Sequence, residues 1–200
     1  MFIQLVLGRI DNAEAAREAL DLWVSGVVPG ATDYLGSTTG VTEDGTLISI
    51  ARYQSAEASH ANGRRPEFKQ WWSHTAQLFT APPTVREADD VFTNVVGDPD
   101  DAGFVQVMQG HLSNPTRARE LMELHVDKLN SLRPDILGRL AAQHPGGDYT
   151  QVVYFTSEEA ARKAEEPAAP AELIPVMQEM MTITGRPDYY DLKEPWLTSP

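Results

Sequence analysis

Five histidines, four tryptophans and a few isolated polar residues are the side chains with which this 200-residue chain could do chemistry. No two of His60, His74, His111, His125 and His144 have the close spacing that brings ring nitrogens to one metal, so no metal site is expected. With no cysteine there is neither thiolate chemistry nor a disulfide framework. The HExxH, CxxC, GxSxG, Walker and GxGxxG patterns are absent. Gly36-Ser37-Thr38-Thr39-Gly40 has the wrong spacing for a nucleophile elbow and falls in a predicted strand. Asp98-Pro99-Asp100-Asp101 lacks the alternation and terminal Glu of a calcium loop and reads as a solvated linker.

Other residues are informative by position. Gln4 and Gln106 are polar residues in apolar strands, either hydrogen-bonded core or contacts that orient a ligand. Trp71 and Trp72 lie on an amphipathic helix, where tryptophans are most often core. Arg64 and Arg65 form a basic pair in an acidic chain, a solvated loop or a lip for an anionic substrate. His125 replaces Trp23 on an otherwise apolar helix face, as a satisfied buried histidine would. His74 shares its face with Glu67, Gln70 and Gln77 and reads as solvated.

A net charge of −13, from 16 basic and 29 acidic residues, argues against nucleic acid and against anionic membrane surfaces. No apolar run approaches the ~18 residues of a membrane helix, and the start lacks a signal-peptide layout. A cytoplasmic protein is expected.

The elements come in two copies. Sliding the sequence by 102 residues aligns Phe2-Ile3-Gln4-Leu5-Val6-Leu7-Gly8 with Phe104-Val105-Gln106-Val107-Met108-Gln109-Gly110. Sixteen of the 57 positions from Phe2 to Ala58 are identical, against roughly three or four from ordinary residue usage. Each copy opens with a strand, then a helix capped by Asn12 or Asn114. A hairpin follows, turning at Asp44-Gly45 or Gly146-Gly147. Ser55 and Ser157 cap a second helix, broken at Gly63-Arg64-Arg65-Pro66 in one copy and across Glu165–Pro175 in the other. A last strand follows Pro83 and Pro187. The pattern predicts an α+β chain of two βαββαβ, ferredoxin-like repeats: residues 1–93, an acidic linker 94–103, and residues 104–200 ending in a tail. Each sheet then has one face without helices, which must be buried. Packing the repeats sheet to sheet, as a barrel within one chain, does this.

Tyr53-Gln54-Ser55-Ala56-Glu57-Ala58-Ser59-His60 followed by Pro66-Glu67-Phe68-Lys69-Gln70-Trp71-Trp72 resembles the run aromatic, Ser-x-x-Ala-x-x-His, Pro-x-Phe-x-x-Trp. That run belongs to the dimeric α/β-barrel superfamily, which includes antibiotic-biosynthesis-type monooxygenases. The second copy keeps Phe155-Thr156-Ser157-Glu158-Glu159-Ala160 and loses the His and the Trp pair.

The resemblance implies a monooxygenase-like enzyme acting on an aromatic or otherwise electron-rich small molecule without a tightly bound cofactor. His60 would be the base, Trp71 or Trp72 the stacking wall, Arg52 or Arg64 a charge partner and Gln4 a polar contact. Haem binding or degradation is an alternative, with Trp71 and His74 nearest to that chemistry, although Val6, Leu7 and Gly8 stand where such enzymes carry an Asn. A barrel filled by side chains, without catalysis, is a third. One chain supplies both halves, so a monomer (a pseudo-dimer) or a homodimer is expected. Any pocket should lie in the first half, bordered by His60, Trp71 or Trp72 and Arg52. Met177, Met180 and Tyr154 should close the equivalent space in the second half, where Arg162 replaces His60 and Pro167, Pro170 and Pro175 interrupt the chain.

Overall fold

A computed structural model describes residues 1–166 and 170–199, so Pro167 lies outside the described residues. Capping sets the element boundaries. After β1 (Phe2–Arg9), the Asn12 side chain accepts the Ala15 N–H at 3.0 Å and opens α1 (Ala13–Leu22). A π-helical turn, Trp23–Val27, and a 3-10 turn ending at Gly30 finish that helix. The hairpin β2 (Tyr34–Val41) and β3 (Thr46–Tyr53) turns at Gly45, whose φ of +83° is a conformation that costs glycine little. Ser55 caps α2 (Ala56–Arg64), Pro66 opens α3 (Pro66–Thr75), and β4 (Thr84–Ala88) completes the repeat.

Past β5 (Asp90–Val95), the second copy repeats the order: β6 (Phe104–His111), α4 (Pro115–Leu132), β7 (Ile136–Gln143), β8 (Asp148–Phe155), α5 (Glu158–Glu165), α6 (Ile174–Thr184) and β9 (Asp188–Leu192). Asn114 and Ser157 cap α4 and α5 as their counterparts do. No π-helical turn interrupts α4. A short β10 (Trp196–Thr198) follows.

There are two five-stranded sheets, ordered β10-β2-β3-β1-β4 and β5-β7-β8-β6-β9. Within them β2-β3-β1-β4 and β7-β8-β6-β9 have ferredoxin-like order. The fifth strand of each departs from the sequence-based division. The chain forms one compact unit from Met1–Asp90 plus the segment from Glu194 onward, and another from Val91–Lys193. The expected linker therefore begins inside β5, and the expected tail contains β10. The physical reason is the outer edge of β2 and of β7, where a row of backbone groups would otherwise lack ladder partners. Trp196, Leu197 and Thr198 pair with Thr39, Thr38 and Ser37.

Register sorts the residues of the first unit. Gln4 and Val6 share the helix-covered face with Ser37, Ser49, Ala51 and Tyr53. The other face carries Ile3, Leu5, Ile48 and Ile50, each without solvent exposure.

Candidate small-molecule site

Between the first sheet and its helices lies a cavity of about 200 Å³. Its walls are mostly aromatic. Trp23 comes from α1's π-helical extension, Phe68, Trp71 and Trp72 from α3, and Tyr53 from β3. Trp23 is the hub, with ring centroids 4.9 Å from Trp71, 5.8 Å from Tyr34 and 6.0 Å from Phe68. Tilted and edge-on contacts of this kind fix ring orientation as well as burying area.

The polar residues among its lining are Gln4, Ser37, Ser49 and Tyr53. A hydrogen-bonded chain holds Ser37: Trp23 Nε1 donates to the Tyr34 hydroxyl at 3.4 Å, which meets Thr198 Oγ1 at 2.8 Å, which meets Ser37 Oγ at 2.7 Å. Thr198 therefore supports this wall from the far end of the sequence. Ser49 meets Thr39 at 2.8 Å. The Tyr53 oxygen accepts from Asn62 Nδ2 at 2.9 Å, and Arg65 in turn donates to Asn62 Oδ1 and to the Val27 carbonyl, each at 2.8 Å. Burial pushes the Tyr53 phenol up to about 12, so it remains a proton donor at neutral pH.

Trp71 donates through Nε1 to the Ala19 carbonyl at 2.7 Å, fastening α3 to α1. It also lines a narrow space of about 50 Å³ and an outer groove of about 600 Å³ along α1 and α3. Cavity, narrow space and groove thus share one indole.

Of the residues expected from sequence, Gln4, Trp71 and Trp72 meet at this cavity. The other three do not line it. His60 is exposed on α2, its Nε2 3.3 Å from Glu87 Oε2, while Glu87 Oε1 accepts from Gln4 Nε2 at 3.0 Å. Arg52 pairs with Ile3 and donates to Thr38 Oγ1 at 3.2 Å, which places it on the opposite sheet face. Arg64 is exposed at the end of α2, and its neighbour Arg65 makes the structural contacts. Ser37 and Thr198 carried no sequence signal, because nothing local to residue 37 announces a partner at residue 198. Trp23 carried one, through its place on the apolar face of the first helix.

The counterpart space in the second unit is filled differently from expectation. Arg139, Val153 and Phe155 stand where the first unit has Ser37, Ala51 and Tyr53. Phe104, Ile136, Val153, Phe155 and Ala161 pack together there with Met108. Met177 is instead 46% exposed, because its place on α6 turns outward. Tyr154 alternates onto the other sheet face. Met180 packs with Leu112, Leu121 and Tyr149. That end of the second unit is open too, with a cavity of about 170 Å³, so cavities are not confined to the first half.

No group of three or more His, Asp or Glu poised for a metal occurs among the described residues. The aromatic cavity offers a porphyrin no histidine nitrogen, since His74 faces the outer groove with Nδ1 taken up by the Gln70 carbonyl at 2.8 Å. Haem therefore does not fit this cavity. Among the described residues no helix is long and apolar enough to cross a membrane.

No protein-family model matches the chain, and no curated protein matches it in sequence. Solved structures do match in fold. A candidate monooxygenase from Fusobacterium nucleatum aligns over 99% of this chain and 94% of its own, with TM-score 0.75 and 10% identity. One from Lactobacillus acidophilus gives 0.69 and 9% over 99% of both chains. An anthrone oxidase-like protein gives 0.70 and 12% over 99% of this chain and 92% of its own. At these identities the likeness is one of fold: the chain shares its α+β architecture with these three proteins.

Proposed function

We propose that the first unit binds a flat, electron-rich aromatic molecule in the Trp23–Trp71–Trp72 cavity and oxidises it by monooxygenation, without a tightly bound cofactor. The observation that carries this reading is the cavity itself: aromatic walls on three elements, with an amide and hydroxyls placed to orient oxygen atoms of a substrate. The fold of the structural relatives supports the same class.

The balanced reaction is that of an activated ring CH₂ group with O₂, giving C=O and H₂O. The substrate supplies all four electrons that O₂ takes up, so the protein's part is orientation and proton handling. Trp71 and Trp72 stack on the ring, Gln4 and Ser37 hold its oxygens, and the protonated Tyr53 donates to oxygen on which charge develops. His60 touches this wall only through Glu87 and Gln4, so it takes no part in binding or proton transfer.

One observation favours a second reading, binding without chemistry: no His, Asp, Glu or Lys lines the cavity. Aerobic incubation with anthrone, following oxygen uptake together with binding, distinguishes them. Oxygen consumed in equal amount to product, and lost in Ala51→Leu, is the expected result. Binding without uptake selects the second reading, and neither binding nor uptake overturns both.

A further inference from the structure

We propose that the outer groove of the first unit is a second subsite for the same substrate, holding an uncharged apolar side chain carried by the aromatic ring. The inference rests on the aromatic cavity being the substrate's site and adds the shape of what binds there. Groove, narrow space and cavity are continuous. The narrow space shares Leu20, Ser49 and Trp72 with the cavity, Ala19, Thr75 and Leu78 with the groove, and Trp71 with both. At about 50 Å³ it is a throat between voids of about 200 Å³ and 600 Å³. A throat of that size takes a chain, not a fused ring.

The second repeat shows that the fold does not require such a groove. There Arg117 on α4 pairs with Glu179 on α6, Nε to Oε1 at 2.6 Å and Nη2 to Oε2 at 3.1 Å. Lys128, about three turns further along α4, pairs with Glu172 just ahead of α6 at 2.7 Å. At the 102-residue offset their counterparts are Ala15 and Gly26, and both line the groove. Small residues therefore stand in the first unit where long cations tie the helices together in the second. The π-helical turn Trp23–Val27, which α4 lacks, contains Gly26, and nothing lies within 4 Å of where a Cβ on Gly26 would stand. Such turns insert a residue into a helix and recur at functional sites.

The lining selects an apolar chain. Ala19, Leu22, Val27 and Leu78 contribute to it, and Leu22 is 64% exposed. Covering these side chains with methylene groups removes apolar surface from water on both sides. Two polar side chains of the groove are already satisfied within α3: Thr75 Oγ1 donates to the Trp71 carbonyl at 3.0 Å, and His74 Nδ1 meets the Gln70 carbonyl at 2.8 Å. Glu18 and Glu67 stand along the groove in a chain of net charge −13, which disfavours an anionic end to the side chain.

Titration calorimetry of the full chain with 1-naphthol, 4-hexyl-1-naphthol and 6-(4-hydroxynaphthalen-1-yl)hexanoate tests the subsite. The hexyl compound should bind at least about tenfold more tightly than 1-naphthol, and about fivefold more tightly than the hexanoate. Gly26→Phe, whose ring has open space to occupy, should bring the hexyl compound to the affinity of 1-naphthol and leave 1-naphthol unchanged. Ala51→Leu, in the aromatic cavity, should weaken all three, with circular dichroism confirming that each variant folds. A hexyl chain that adds nothing, or whose advantage survives Gly26→Phe, overturns the inference while 1-naphthol binding sustains the cavity reading. Equal binding of the hexanoate, or hexyl binding that survives Ala51→Leu, overturns it as well. If neither naphthol binds, the subsite and the cavity reading fall together.

Discussion

His60 is held against Glu87 in the place where the second repeat holds Arg162 against Asp191. The distances are 3.3 Å from His60 Nε2 to Glu87 Oε2 and 2.5 Å from Arg162 Nη2 to Asp191 Oδ2. In each copy the carboxylate also accepts from the first strand's glutamine, Gln4 at 3.0 Å or Gln106 at 2.8 Å. In each, an aromatic ring lies under the basic group: Phe2 is 5.8 Å from His60, and Phe104 is 5.3 Å from Arg162. The arrangement is a brace from helix to last strand, duplicated with its chemistry altered.

His60→Arg should therefore be accepted, with stability within about 0.5 kcal/mol of the parent. His60→Ala should cost less than about 1 kcal/mol, since the pair is exposed, and should leave ligand affinity in the aromatic cavity unchanged. Urea denaturation and a ligand titration check the two halves of this expectation. A tenfold loss of affinity in His60→Ala would return the histidine to the site.

Thr198→Val should destabilise the first unit selectively. It removes the hydroxyl between Tyr34 and Ser37, and Ser37 is only 2% exposed, so about 1–2 kcal/mol should be lost. All four tryptophans, Trp23, Trp71, Trp72 and Trp196, belong to that unit. The indole-fluorescence transition should move to lower urea while tyrosine signals from the second unit stay in place.

Trp71→Phe keeps the stacking ring and removes the 2.7 Å bond to the Ala19 carbonyl. It should cost about 1 kcal/mol and speed both entry and escape of a cavity ligand several-fold, because the indole borders groove and cavity alike. Stopped-flow binding would show unchanged rates if Trp71 were only packing.

Tyr53 and Tyr149, each pushed up to about 12, should ionise late in an alkaline titration followed by phenolate absorbance. Their folded pKa lies above the unfolded value near 10, so their contribution is intact below pH 10 and is lost as pH rises from there through about 12. Tyr53→Phe or Tyr149→Phe should each remove one late-ionising phenol and flatten the fall in stability over that window.

Arg139→Leu should leave the second unit as stable or stabilise it by up to about 2 kcal/mol. Arg139 is 7% exposed and bonds the Asn130 side chain, and burial together with the nearby Arg133 guanidinium pushes it below the usual arginine range. The transition measured by far-ultraviolet circular dichroism in urea should not move downward.

Local signals were legible in the sequence. Asn12, Ser55, Asn114 and Ser157 each cap the helix they were expected to open, since a cap depends on residues two or three positions away. The repeat made the strand order legible, because two copies of one pattern constrain each other. The site was legible only where it is aromatic and helical, at Trp71 and Trp72. Arg52 illustrates the limit: one residue along a strand separates the cavity face from its opposite. Ser37 illustrates another, since its partner Thr198 lies 161 residues away. His60 has the right sequence environment, but its helix turns it toward Glu87 and solvent.

The fifth strand of each sheet also decides when each unit can be finished. Thr198 enters the chain after the whole of the second unit, yet the first unit's aromatic cavity lacks its Ser37 support until β10 is in place. Synthesis runs from the N-terminus, and domains ordinarily fold in that order. Here the earlier-made unit waits for the later one. Being tethered, its missing strand arrives at an effective concentration set by the chain and independent of how much protein the cell contains.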